Sequence, residues 1–178
     1  MNAKPSKLVM TRDTLADLPP LELPEGYSLK SFQPVDVTEW ESIIRISFAR
    51  EIAFGDKIGF EAPFHPDKIL FIRHQGLAVA TAVAWEKEGC GADCGYLHMV
   101  GALPGHSGKG IGYTIALAAL HRMREEGKKK AMLETDDFRL AAIRVYSKLG
   151  FRPLMTEPEH QERWHAVFAQ LKDRQEME

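Results

Sequence analysis

The run Gly108-Lys109-Gly110-Ile111-Gly112 constrains this chain more than any other stretch. It stands between an apolar segment of strand character, Tyr96–Leu103, and a helical segment that reaches about Glu126. Glycines at alternate positions let the backbone turn sharply and leave its amides uncovered. At a helix N-terminus such amides carry about half a positive charge and suit phosphate groups. An ordinary turn uses glycines in the same way, so two phosphate-loop alternatives have to be weighed. A P-loop requires Gly-x4-Gly-Lys-Ser/Thr. Here Leu103 stands five before Gly108, and Gly110 replaces the hydroxyl residue that would hold magnesium. A dinucleotide fingerprint opens a βαβ unit, with an acid about 20 residues further on. Glu134 is tolerably placed, yet the motif begins after more than half of the 178 residues. The remainder is too short for the rest of a doubly wound sheet.

Around this loop the pattern alternates strands with helices. Residues 1–25 carry Pro19, Pro20 and Pro24, show no sustained period and read as an N-terminal arm. Residues 26–33 alternate apolar and polar and predict a first strand. Asp36 and Glu39 form a capping-box-like helix start, and Trp40, Ile43, Ile44 and Phe48 then share one helical face. Ile69–Arg73 and Leu77–Trp85 flank His74-Gln75-Gly76 and predict a hairpin. Residues 96–103 are a fourth strand, Ala131–Glu134 a fifth and residues 151–155 a last one. Helices are expected from the glycine loop to about Glu126, over Leu140–Leu149, and around Trp164, Val167, Phe168 and Leu171. Gly127 and Gly150 are placed to end the first two. The expected class is α/β or α+β, a mixed central sheet with helices on its faces.

Two linked motifs resemble those of the GNAT-superfamily N-acetyltransferases. The first runs from Ala102 to Gly112 and is similar to the family's acetyl-CoA loop, with Ser107 where Gln or Arg is usual. The second, Arg139 to Phe151, resembles the helix Asn-x-x-Ala-x-x-x-Tyr…Gly-Phe, with Arg139 in the place of Asn. The stretches LPEGYSLKSF, LETDDFRLAAI and Arg163-Trp164 resemble bacterial relatives of mycothiol synthase. The resemblance implies one acetyltransferase domain over residues 26–178, with an extra C-terminal helix. It implies fourth and fifth strands that splay apart, with pantetheine pairing along the fourth. Acetyl-CoA is then the cosubstrate. Its binding residues would be Val100, Gly101, Ala102, Ser107, Gly108, Lys109, Gly110, Ile111, Gly112, Arg139, Ala142 and Tyr146. Arg139 would meet a CoA phosphate or pair with Asp136 or Asp137. A glycine inside a strand, such as Gly101, independently marks a bulge or a close backbone approach.

Acetyl transfer to an amine needs a proton acceptor, donors for the oxyanion and a proton for the departing thiolate. The resemblance assigns the last to Tyr146, which otherwise reads as a core tyrosine on a stripe with 142 and 149. Tyr96, His98, Val100 and Ala102 share a strand face by period-2 geometry, unless a bulge near Gly101 resets the last. Related arylalkylamine acetyltransferases carry two histidines at the places of Tyr96 and His98, and other members a glutamate at that of Tyr96. His98, with an ordinary pKa near ~6.5, is the expected base. Backbone N–H groups around Val100 to Ala102 would be the oxyanion donors.

Composition limits the remaining readings. Lys and Arg total 23 against 25 Asp and Glu, a net charge of −2, which disfavours a nucleic-acid partner. No apolar run approaches the ~20 residues of a membrane span, and no signal peptide is evident. Cys90 and Cys94 are expected as free thiols rather than metal ligands, and no metal is expected. Lys128–Lys130 read as a solvated run or a CoA phosphate contact, and Phe54, Phe60 and Phe64 as pocket wall or packing. A cytoplasmic acetyltransferase acting on a small-molecule amine is the expectation, with a homodimer left open. A peptide acetyltransferase or a non-catalytic acyl-CoA sensor on the same fold are the alternatives.

Overall fold

A computed structural model describes residues 6–59 and 64–176. Seven strands form one mixed sheet in the order β2-β3-β4-β5-β6-β1-β7. They are β1 (Leu8–Arg12), β2 (Tyr27–Ser31), β3 (Ile69–His74), β4 (Leu77–Trp85), β5 (Cys94–Ala102), β6 (Lys130–Thr135) and β7 (Arg152–Leu154). Among the described residues, five α-helices accompany them: α1 (Val37–Phe48), α2 (Phe54–Lys57), α3 (Ile111–Glu125), α4 (Leu140–Lys148) and α5 (His160–Glu176). β2 to β5 pair antiparallel in chain order, and β5 pairs β6 in parallel. The β3–β4 hairpin turns at Gln75 and Gly76, both at positive φ, as a tight two-residue turn requires.

Helices cover both faces. Trp40, Ile43 and Ile44 of α1 pack with Phe32, Phe54, Phe71 and Met99 in one core. On the other face, the small-residue stripe Ile115, Ala116, Ala118 and Ala119 of α3 lies against Ala80, Ala82 and Leu97. Alanines there let the helix sit close to the sheet. Tyr146 of α4 and Trp164, Val167 and Leu171 of α5 close this second core. Among the described residues, no helix is long and apolar enough to cross a membrane.

Three expectations need correction. The stretch read as an arm supplies β1, which lies between β6 and β7 and pairs antiparallel with both. Leu8 and Met10 are fully buried, and Val9 is buried on the opposite face. A five-residue strand buried on both faces has no period-2 alternation, so its pattern was hidden. Cys90 and Cys94 form a disulfide rather than two thiols, because the turn into β5 brings their Cα atoms to 5.6 Å. The capping box lies three residues earlier than predicted: the Gln33 amide donates to Asp36 at 2.6 Å, around a short 3₁₀ turn. Asp36 also accepts from Arg73 at 2.7 Å, which ties the start of α1 to β3.

Met10→Ala should therefore lower stability by about 2–5 kcal/mol, the usual range for truncating a buried methionine. Denaturant unfolding measures it. A loss well under 1 kcal/mol would show that β1 is not part of the folded core.

Candidate active site

β5 and β6 stay paired only at Cys94–Lys130, Gly95–Ala131 and Tyr96–Met132. Beyond Tyr96, β5 continues to Ala102 with β4 on one side only, while β6 continues to Thr135 against β1. The edge of β5 from Leu97 onward is therefore left without a strand partner. A bulge shapes this edge. Thr81 faces Gly101 and Val83 faces His98, so Met99 and Val100 together oppose Ala82. Met99 has φ of 47°, and an extra residue of this kind bends a strand and increases its twist.

The bulge also overturns the expected face. Leu97, Val100 and Ala102 point to the α3 core, and Met99 to the α1 core. Tyr96 and His98 therefore lie opposite Val100 and Ala102. Gly101 is needed for a different contact than expected. A Cβ there would meet Ser47 Oγ at 2.8 Å and Ile43 Cγ2 at 3.1 Å, so the close approach is that of α1.

The glycine loop ends in α3 with Gly110 as N-cap at φ of 71°, and Gly108 at 78°. The first intrahelical bond is Thr114 N–H to Gly110 at 2.9 Å, so the preceding amides of the first turn remain available. A Cβ on Gly108, Gly110 or Gly112 would meet no protein atom within 4 Å. Ser107, Lys109 and Gly110 are exposed, and Ile111 is buried beneath them. From this loop a cavity of about 220 Å³ runs between the β5 edge (Val100, Gly101, Ala102) and α4 (Ala142, Tyr146), with Gly112 at its head. A second cavity, of about 170 Å³, continues past Tyr146 to Tyr96, His98 and Glu134. Val100, Arg139 and Tyr146 line both.

Tyr146 is buried, and desolvation raises its pKa, opposed by the nearby Arg139 charge. It remains a phenol at neutral pH. Tyr96 is raised as well, first by burial and then by the adjacent Glu134 carboxylate, to which its hydroxyl donates at 3.3 Å. Glu134 also accepts from Lys87. In the sequence Glu134 stands out only as the acid of a dinucleotide fingerprint; its place near the splayed end of β6 brings it here. His98 stacks obliquely near Trp85 and Tyr96, with centroids at 5.7 and 5.6 Å. Burial pushes its pKa down to about 4, against a hydrogen bond to the Lys57 backbone that favours the charged form. It is neutral at pH 7 but a weaker base than the sequence suggested.

Arg139 does not pair with Asp136 or Asp137. Asp136 pairs with Lys7, and Asp137 pairs with Arg163. The Arg139 guanidinium lies 3.9 Å from the Phe48 ring centroid and donates to the Val100 carbonyl at 3.3 Å. Lys128 and Lys130 pair with Glu86 and Asp93 where β6 begins, away from the glycine loop. Phe54 is core, and Phe60 lies outside the described residues.

An unpaired strand edge beside a glycine-capped helix is the frame of the site. The acetyltransferase (GNAT) family model matches residues 34–151, and the chain belongs to that family. It is 32% identical to mycothiol acetyltransferase of Thermobispora bispora over 80% of this chain and 52% of that protein. The enzyme of the same name from Streptomyces griseus is 30% identical over 76% of this chain and 46% of its own length. The chain thus spans about half the length of these relatives. A GCN5-related N-acetyltransferase from Sphaerobacter thermophilus has the same fold, with a TM-score of 0.64 at 22% identity over 85% of this chain and 50% of its own.

The lowered His98 pKa has a stability consequence with a defined sign. The unfolded histidine takes up a proton near ~6.5 and the folded one only near 4, so unfolding is favoured as pH falls through that window. An NMR titration should place the His98 midpoint near 4. His98→Gln should remove part of the acid-side stability loss. A midpoint near ~6.5 would contradict the buried setting.

Proposed function

We propose that the chain transfers an acetyl group from acetyl-CoA to a primary amine of a small molecule by direct attack. The observation that carries this reading is the free edge of β5, which leads from the amides of the α3 N-terminus to the buried Tyr146 hydroxyl. The open cradle at Gly108, Gly110 and Gly112 fits a pyrophosphate, because nothing in the protein fills the space that side chains would take. The Val100–Ala102 edge takes pantetheine as an added strand, in place of the Arg139 contact to Val100. Ala142 and Gly112 keep the groove clear.

Bound acetyl-CoA supplies an activated thioester carbon. The amine nitrogen bonds to that carbon as the carbon–sulfur bond breaks. The Val100–Ala102 amides stabilise the charge that develops on the acyl oxygen. Tyr146 gives its phenolic proton to the leaving sulfur. The amine attacks as its free base, and the proton it sheds as the C–N bond forms passes along Tyr96 to the Glu134 carboxylate. The second cavity, about 170 Å³, favours a small acceptor over an extended peptide.

Tyr146→Phe should lower kcat about 10²–10⁴-fold while acetyl-CoA affinity, read by calorimetry, stays within a few-fold. An unchanged kcat removes Tyr146 from the chemistry. Binding without thiol release from any amine would favour the sensor instead. The rate should rise with pH towards the pKa of the amine, with no break near ~6.5. A break there that vanishes in His98→Gln would restore His98 as the base.

A further inference from the structure

The second cavity is more cationic than the chain around it. Lys7, Arg50, Lys57 and Arg139 line it, against the carboxylates Glu134 and Asp136. Both carboxylates are already engaged, Glu134 by Lys87 and Asp136 by Lys7. Arg139 rests on the Phe48 ring and meets a carbonyl rather than a carboxylate. Arg50 and Lys57 have no carboxylate within ion-pair distance among the described residues. The chain as a whole has a net charge of −2, so this local excess runs against its composition.

The coenzyme does not account for Arg50 and Lys57. Its phosphate cradle lies at Gly108–Gly112, and Gly112 lines the first cavity only. Arg50 and Lys57 line only the second, past Tyr146. Both are exposed, so they form its rim. Their placement is built into the fold. Ala49, in the left-handed conformation, ends α1 just before Arg50. The end of α2 brings Lys57 to the same cavity wall as His98.

We infer that the acceptor is a small primary amine that also carries an anionic group, a carboxylate or a phosphate, held by Arg50 and Lys57 while its amine reaches Tyr146 and Glu134. This rests on the transferase reading above and narrows its substrate class. Arg50 presents a planar fork suited to either anion, and Lys57 adds a point charge. Both cations stay outside the chemistry, so they act on acceptor capture and not on the transfer step.

Matched amines test it: glucosamine 6-phosphate against glucosamine, and 4-aminobutyrate against butylamine. Thiol release from acetyl-CoA should show a KM at least tenfold lower for the anionic member of one or both pairs, and the better pair identifies the anion. The double variant Arg50→Gln, Lys57→Gln should raise that KM about tenfold, leaving kcat and the KM of the uncharged member unchanged. The preference should narrow in ~1 M salt, where screening reaches ~3 Å. Equal KM values within each pair, or a preference that survives the double variant, would overturn the inference while leaving the transferase reading intact. Calorimetry of the same four amines reads the preference without turnover. Tighter binding of an anionic member supports the site even if no thiol is released, and equal binding overturns it.

Discussion

The parting of β5 from β6 after three paired residues is the constraint on which the site depends. A sheet interior normally satisfies every backbone amide and carbonyl, and a free edge in the middle of one is costly unless something covers it. Here the bulge at Met99 and Val100 bends β5 away, and Gly101 lets α1 follow closely on the other face. The Val100 carbonyl is met by Arg139 from the start of α4. The gap that results is lined by backbone on one side and by α4 on the other. It joins the amides at the head of α3 to the buried tyrosine. The open glycine loop and the two cavities are thus successive parts of one crevice.

What holds β6 in place while β5 leaves is β1. It pairs along β6 from Leu8 opposite Thr135 to Arg12 opposite Ala131, and carries β7 on its far side. Lys7 and Ser6, just before it, reach Asp136, Glu159 and the first residue of α5, His160. The N-terminal segment therefore secures the strand end that positions Glu134. A division of the chain at residue 25 would cut through this sheet.

Burial and charge then divide the chemistry. Desolvation keeps Tyr146 and Tyr96 protonated and His98 neutral, so the buried end of the crevice holds proton donors and weak acceptors. Charge is left to the rim. In a chain only slightly acidic, the groups suited to anions are local: amides at one end of the crevice, and Arg50 with Lys57 at the other.

The sequence by itself determined most of the elements, because each follows from local rules. The β3–β4 hairpin was legible from its Gln-Gly turn, α3 from its glycine cap and small-residue stripe, and α4 from its apolar face and Gly150. The motif pair around Gly108–Gly112 and Arg139–Phe151 pointed to the family that the comparisons show. Only the tertiary structure decided the rest. The place of β1 depends on partners more than 100 residues away, and a short doubly buried strand carries no periodic mark. The bulge at Met99 depends on register with β4, yet it moves Val100 and Ala102 to the opposite face from His98. The partners of Arg139, the Cys90–Cys94 bond and the weak basicity of His98 follow from distance and burial, which spacing along a chain does not encode.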